Sequence, residues 1–256
     1  MKISIIQPDI CWENKPANFR KLENLITSGT ARADIIVLPE MFNTGFSIEP
    51  GKISEPPHSV TFEWMKKMAD ATNGAICGSY IVRERNKYFN RWLFVTPGHE
   101  TFLYDKRHLF SMGGEDKEFT PGEKRIVFSY KGLRICPTIC YDLRFPVWSR
   151  NRNDYDLLIN SANWPSSRHS VWLTLLKARA IENQCYVAGA NRAGSDGSGL
   201  DYDGDSVLID PRGEIISTPA GNKECAVSGE ISMDELSDFR KFFPVLKDAD
   251  QFSIKM

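Results

Sequence analysis

Three residues of complementary chemistry stand directly after apolar, β-prone runs. Glu40 follows Ile35-Ile36-Val37-Leu38-Pro39, Lys106 follows Thr101-Phe102-Leu103-Tyr104-Asp105, and Cys140 follows Leu133-Arg134-Ile135-Cys136-Pro137-Thr138-Ile139. The C-terminal ends of strands open into the crevice where α/β folds place their sites. A carboxylate can take a thiol proton, a thiolate can attack a carbonyl carbon, and an ammonium can steady the oxyanion that results. Each residue also has a plainer reading. A cysteine after a strand is commonly a small buried hydrophobe, Glu40 could sit at a helix N-terminus, and Lys106 could be a solvated hairpin charge. Singly, none of the three is persuasive.

The elements that must position them recur from end to end. Strands are expected at 3–7, 35–38, 75–82, 92–96, 101–105, 126–130, 133–139, 157–160, 186–190, 206–209 and 226–231. Helices are expected from near Pro16, with Phe19, Leu22, Leu25 and Ile26 on one face, from near Ser59, with Phe62, Met65, Met68 and Ala69, and from near Ser167, with Trp172, Leu175, Leu176 and Ala180. Pro16 suits a first helical turn. A hairpin is expected where the strands at 92–96 and 101–105 flank Pro97-Gly98-His99-Glu100. Interleaved strands and helices point to α/β sheets covered by helices. No linker or repeat of fixed period interrupts the pattern, so one domain is expected, with the Gly-rich stretch from Gly194 to Gly199 as a surface loop.

Composition narrows the function. The 256 residues, 41% hydrophobic and 25% charged, are those of an ordinary globular protein. A chain of this length buries roughly 70 to 75% of its unfolded surface and needs no disulfide staples. Lys plus Arg (32) almost cancels Asp plus Glu (33), so no electrostatic footprint for nucleic acid or an anionic membrane exists, and a small-molecule partner is expected. The opening MKISIIQPDICWEN lacks the apolar core of a signal peptide, and no uninterrupted apolar run is long enough to span a bilayer, so a cytoplasmic location is expected. Cys11, Cys77, Cys136, Cys140, Cys185 and Cys225 are dispersed, which argues for reduced thiols.

The words around the three residues are more specific than the residues. Leu38-Pro39-Glu40-Met41-Phe42, Tyr104-Asp105-Lys106-Arg107-His108-Leu109-Phe110 and Ile139-Cys140-Tyr141-Asp142-Leu143-Arg144-Phe145-Pro146 resemble the three catalytic segments of the nitrilase superfamily, the carbon-nitrogen hydrolases. Two further blocks, Ser161-Ala162-Asn163-Trp164-Pro165 and the run from Ala178 to Val187, support the resemblance, which extends from Ile3 to about Gly213. Within the superfamily the chain is most similar to the omega-amidase branch.

The resemblance implies an α/β four-layer α-β-β-α sandwich, two mixed sheets flanked by helices, paired into a homodimer through a helical face. It implies one domain over residues 1–256, with the segment from about 232 to 256 packing on the body or on a partner subunit. Matched to the motifs, Glu40 is the general base, Lys106 the transition-state stabiliser and Cys140 the nucleophile. A second site glutamate is expected between Lys106 and Cys140. Glu115 and Glu118 are the candidates, and Glu115 is preferred for its spacing to Pro121. No cofactor and no metal are implied. The implied activity is hydrolysis of the terminal amide of a small omega-amido carboxylate, 2-oxoglutaramate or 2-oxosuccinamate, through a Cys140 thioester. Another small amide or an N-carbamoyl compound is the alternative within the superfamily.

Chemistry fills in the roles. A free thiol ionises at about pH 8.5, so only a few per cent is thiolate at neutrality, and the neighbouring base and Lys106 are expected to raise that fraction. The oxyanion would be held by Lys106 and the backbone N–H of Tyr141, a donor typically worth about 3 to 4 kcal/mol. Arg144 offers a guanidinium fork for a distal carboxylate, against a structural pairing with Asp142 or another acid. Phe42, Phe46 and Trp164 could wall the pocket, and Arg168 and His169 could face it, although aromatic residues are more often plain core. Arg179 and Glu182, three apart on a helix, read as a structural ion pair.

Four rival readings carry their own signals. A papain-like hydrolase would pair Cys140 with His58, His99, His108 or His169, none of which has the local signature of such a base. A metal centre could draw on Cys136, Cys140 and His108, but no Cys-x-x-Cys or His-x-x-x-His pair is present. A binding module without turnover would not need all three triad positions. Acyl transfer to an amine would share the thioester and differ only in the acceptor.

Overall fold

Strands such as Lys2–Gln7 and Leu157–Ser161 are buried on both faces, which explains why they read as continuous apolar runs rather than alternating ones. The computed structural model describes residues 1–29 and 32–254. Its elements in chain order are β1 (Lys2–Gln7), α1 (Lys15–Gly29), β2 (Ile35–Val37), α2 (Pro50–Ile53), α3 (Val60–Thr72), β3 (Ala75–Glu84), β4 (Lys87–Val95), β5 (Thr101–Asp105) and α4 (Glu115–Glu118). There follow β6 (Phe128–Tyr130), β7 (Leu133–Ile139), α5 (Pro146–Ser149), β8 (Leu157–Ser161), α6 (His169–Asn183) and β9 (Tyr186–Ala190). The last are β10 (Ala193–Ser195), β11 (Asp201–Asp203), β12 (Val207–Ile209), β13 (Ile215–Ser217), β14 (Cys225–Glu230) and α7 (Met233–Phe242).

Two mixed sheets result, ordered β14-β1-β2-β3-β4-β5 and β13-β12-β9-β8-β7-β6. Alternate side chains of each strand divide between the layers. Ile3, Ile5, Ile35 and Val37 of the first sheet meet Ile135, Leu157 and Ile159 of the second in a core between the sheets. Ile6, Ile36 and Ile76 point the other way onto Leu22 and Ile26 of α1 and Met65 and Met68 of α3. On the far side Leu158 and Val187 pack on Trp172 and Leu176 of α6. The chain is an α-β-β-α sandwich.

The three expected helices form, and Asn14 caps α1 by accepting the Ala17 N–H at 3.1 Å. The hairpin of β4 and β5 also forms. Four departures from the expected elements have physical causes. β4 begins at Lys87, not Trp92, because a tight turn at Arg85 and Asn86, both at positive φ (50° and 60°), zips it to β3 over its full length. The Gly-rich stretch is not a bare surface loop: it joins the two strands of the β10–β11 hairpin. β13 carries one partly buried and two exposed residues, and α7 buries only Leu236, so neither shows the apolar density that marks an element in sequence. α7 nonetheless docks firmly, with Leu236 in the inter-sheet core and Arg240 Nη1 2.7 Å from Asp156 Oδ1. Residues 255 and 256 of the expected C-terminal segment lie outside the described residues.

The topology decides where chemistry can gather. β2 runs parallel to β3, and β5, two antiparallel steps from β3, shares that direction, so Glu40 and Lys106 leave the first sheet at the same end. β7, β8 and β9 are parallel in the second sheet, which brings Cys140 and Asn163 to one edge of it.

Candidate active site

Glu40, Lys106 and Glu115 are buried, and their charged atoms touch. Lys106 Nζ lies 2.8 Å from Glu40 Oε1, 2.8 Å from Glu115 Oε2 and 3.1 Å from Glu115 Oε1. Asn90 Nδ2 completes the cluster from β4, donating to Glu40 Oε1 at 2.8 Å and to Glu115 Oε1 at 3.1 Å. Asn163 locks the Glu40 turn from the other sheet, its N–H donating to Glu40 Oε2 at 3.0 Å and its Nδ2 to the Glu40 carbonyl at 2.6 Å. Cys140 Sγ faces the same space, 3.8 Å from the Asn163 carbonyl oxygen. Glu118, the other candidate, is exposed on α4 and takes no part.

A count of acceptor sites separates the two carboxylates. An ionised carboxylate offers about four lone-pair sites. Those of Glu115 are filled by Asn90, two contacts from Lys106 and the Phe110 N–H at 2.7 Å. Glu40 accepts three, from Asn90, Lys106 and the Asn163 N–H, which leaves one site on Oε2 among the described residues. Glu40 can take a proton without breaking a bond; Glu115 cannot.

Charge balance sets the protonation states. Burial alone would strip the proton from Lys106, but Glu115 and Glu40 outweigh it and push its pKa above the usual lysine value. Burial raises the Glu115 carboxyl, and Lys106 only partly offsets this. Cys140 is raised well above the ordinary thiol value, first by burial and then by Glu40, with Lys106 pulling the other way. Two carboxylates against one ammonium leave a net negative cluster. The thiol is therefore held toward its protonated form until a base removes the proton, which runs against the expectation that the neighbouring base and Lys106 raise the thiolate fraction.

Local backbone serves the same end. Cys140 sits at φ 43° and Met41, beside Glu40, at φ 45°, both left-handed conformations that non-glycine residues adopt at a cost of order 1 to 3 kcal/mol. Asp142 secures the Cys140 turn: it accepts from the Ile139 N–H at 3.0 Å, Tyr104 Oη at 2.7 Å, and the His108 N–H and Nδ1 at 2.9 and 2.8 Å. Tyr141 follows in the first turn of a 3-10 segment, where backbone N–H groups have no intrahelical partner. Arg179 braces the segment, Nη1 pairing with Glu182 at 2.9 Å and Nη2 donating to the Leu143 carbonyl.

A cavity of about 750 Å³ opens above Cys140, Lys106 and Asn163. Trp164 walls it, with the Arg144 guanidinium 5.1 Å from the centre of its ring. Arg144 is exposed and makes no ion pair among the described residues, so the structural alternative with Asp142 does not form. Phe46 and Arg168 also line the cavity. Phe42 does not: it is fully buried against Trp64 of α3, because the chain after Glu40 turns inward, and its expected place in the pocket is corrected. His169 points away to Asp205, at 3.4 Å.

The rival centres do not assemble. His58 packs on Phe62, His99 on Asp70, His108 on Asp142 and His169 on Asp205, so none of the four is placed as a base for Cys140. Cys136 points into the α6 layer, away from His108, and the three proposed metal ligands stay apart. Asn90 is the site residue that sequence reasoning missed. Its only signal was the β-prone Tyr88-Phe89 preceding it.

Comparison with known proteins places this geometry. A family model described as carbon-nitrogen hydrolase matches residues 2–241. The omega-amidase YafV of Escherichia coli is 46% identical over 254 residues, covering 99% of this chain and 98% of that protein. A 2-oxoglutaramate amidase of Bacillus subtilis is 33% identical, with 96% of each chain covered. Among solved structures, the CN-hydrolase superfamily protein XC1258 of Xanthomonas campestris, which carries an arsenic adduct in its active site, superposes with a TM-score of 0.97 at 39% identity, covering 100% of this chain and 99% of that one. From the match to the family model and these full-length relatives, the chain belongs to the carbon-nitrogen hydrolase family.

Proposed function

We propose that this chain is an omega-amidase that hydrolyses the terminal amide of a small omega-amido carboxylate, 2-oxoglutaramate or 2-oxosuccinamate, to the acid and ammonia. The observation that carries the reading is the buried Glu40-Lys106-Glu115 cluster with a single open acceptor site, on Glu40, beside Cys140. Relatives named omega-amidase and 2-oxoglutaramate amidase support the substrate class.

The cluster supports a two-step mechanism. Glu40 takes the Cys140 proton as sulfur bonds to the amide carbon and an electron pair moves onto the carbonyl oxygen. Lys106 has three N–H donors; one serves Glu40, one is shared by the two oxygens of Glu115, and the third is free for the oxyanion, together with the Tyr141 N–H. Collapse breaks the C–N bond, and the proton on Glu40 leaves with the nitrogen as ammonia. Water then gives Glu40 a proton and the thioester carbon its oxygen; collapse breaks the S–C bond and returns the proton to sulfur. Glu115 is a positioning residue in this scheme, holding Lys106 charged and in place. Arg144 and Trp164 would receive the carboxylate end of the substrate.

The remaining features of the reading are a single domain over 1–256, no cofactor, a cytoplasmic location and a homodimer. No helix among the described residues is long and apolar enough to cross a membrane, and the near-neutral charge does not favour nucleic acid. Exposed Val147 on α5, Ile181 on α6 and Phe242 on α7 offer apolar helical surface for a second copy.

Ammonia release from a panel of short omega-amides, with and without the distal carboxylate and the 2-oxo group and including an N-carbamoyl compound, tests the proposal. Fastest turnover of the 2-oxo carboxylate amides is expected. Indifference to the carboxylate, or preference for the carbamoyl compound, would sink it.

A further inference from the structure

The cavity wall carries charges of both signs, and they differ in whether their hydrogen-bonding atoms are already taken. Each anion there is already engaged: Glu13 accepts from Ser47 Oγ at 2.6 Å, Glu49 pairs with Lys52, and Asp196 accepts from Tyr202 Oη at 2.8 Å. Lys106 is matched by Glu40 and Glu115. Arg144 and Arg168 have no carboxylate partner among the described residues. Each instead lies against an aromatic ring, Arg144 5.1 Å from the centre of Trp164 and Arg168 5.6 Å from that of Phe110. A ring face is a weaker partner for a guanidinium than a bidentate carboxylate, so both forks are available to a ligand that supplies one.

The two arrive from different segments. Arg144 ends the turn that begins at Cys140, and Arg168 precedes α6 in the turn after Trp164. They are tied through Trp164, whose indole lies beside Arg144 and donates Nε1–H to the Arg168 carbonyl at 2.9 Å. The indole thus holds the guanidinium of one arginine and the backbone of the other, and both side chains border the cavity.

We infer that Arg168 is a specificity-determining residue that acts with Arg144 as a two-guanidinium clamp, selecting omega-amides whose far end carries a carboxylate beside an uncharged, electron-rich group such as a 2-oxo oxygen. The inference rests on the amidase reading above. The clamp also rejects: an amino-acid amide such as glutamine carries an ammonium on the carbon next to its carboxylate, and two unmatched guanidinium groups repel it while offering it no acceptor. A single arginine could hold the carboxylate of either compound. The second makes the difference between them.

The experiment measures kcat and KM for 2-oxoglutaramate, glutaric acid monoamide and L-glutamine with the full-length enzyme and its Arg168→Ala, Arg168→Lys and Arg144→Ala variants. Because the Arg168 carbonyl, not its side chain, holds the Trp164 indole, these substitutions leave that contact intact. Arg168→Ala should raise KM for 2-oxoglutaramate by about tenfold or more with kcat little changed, and should narrow the preference over glutamine by a similar factor of about ten. The monoamide, which has no 2-oxo group, should lose less. Lysine should rescue poorly, since it cannot present the fork. An unchanged KM and an unchanged preference over glutamine would overturn the clamp. So would an equal loss for a neutral amide such as butyramide, which would indicate a merely structural role. Absence of ammonia from every amide with the unaltered enzyme would instead refute the amidase reading itself, so the two failures are distinguishable.

Discussion

Replacing Glu115 by Gln separates the ionisation of Cys140 from its use. The substitution removes one of the two carboxylates that face Lys106 and turns the cluster from net negative to neutral. It also puts an amide NH2 where Lys106 and the Phe110 N–H now donate at 2.7 to 3.1 Å, so at least one donor loses its acceptor. Breaking a buried pair typically costs about 3 to 5 kcal/mol, and because Lys106 keeps Glu40 the lower end is expected. Relieved of one nearby negative charge, the Cys140 thiol should ionise at lower pH. The sign is counterintuitive: the thiol becomes more reactive while the enzyme becomes worse. The pH dependence of Cys140 alkylation by iodoacetamide should shift its midpoint down. Turnover in the same preparation should fall about a hundredfold, because Lys106 is no longer held for the oxyanion. Thermal melting would confirm that the variant is folded. A midpoint that moves up, or turnover that survives, would refute the electrostatic reasoning.

Two further outcomes follow from geometry outside the cluster. Asp156 is buried, which raises its pKa, but bonds from Arg134 and Arg240 overcome this and hold it below the usual aspartate value. A lowered carboxylate pKa stabilises the fold above the ordinary value and ceases to do so as pH falls through the folded one. Arg240→Ala should therefore cost about 1 to 3 kcal/mol at neutral pH, and the gap should narrow below about pH 4, leaving the part owed to the Gln184 and Tyr155 carbonyls; a urea-melt difference that is flat with pH would contradict this. Gly122 lies where a Cβ would come 2.0 Å from the Asp105 carbonyl oxygen, and its N–H donates to the Lys106 carbonyl at 2.8 Å. Gly122→Ala should displace Lys106, lowering kcat about tenfold or more with a smaller change in KM, whereas wild-type kinetics would show that the strand end absorbs the clash.

Much of this arrangement was legible because strands buried on both faces leave dense apolar runs, and the residues just beyond them stand out. Glu40, Lys106 and Cys140 were found that way. Asn90 was not, because it lies in the half of β4 that includes exposed or half-exposed Lys87, Tyr88 and Phe89 and resembles a loop. Phe42 was misplaced because side-chain direction after a turn depends on the left-handed Met41, a conformation that residue type does not announce. The β10–β11 hairpin reads as a loop since its strands are short and its connection rich in glycine, yet that connection borders the cavity. The upward shift of the Cys140 thiol was beyond reach for another reason. It depends first on how deeply the sulfur is buried and then on how close Glu40, Lys106 and Glu115 come to it, and only the folded chain sets that burial and those distances.

The central claim is that Cys140 becomes acylated as ammonia leaves. Rapid mixing of the enzyme with 2-oxoglutaramate, acid quenching and peptide mass spectrometry test it directly. The account predicts an adduct equal to substrate minus ammonia on the peptide containing Cys140, appearing with the first ammonia released and absent from a folded, inactive Cys140→Ala variant. Ammonia release without an adduct on Cys140 at any quench time, or turnover by Cys140→Ala, would contradict it.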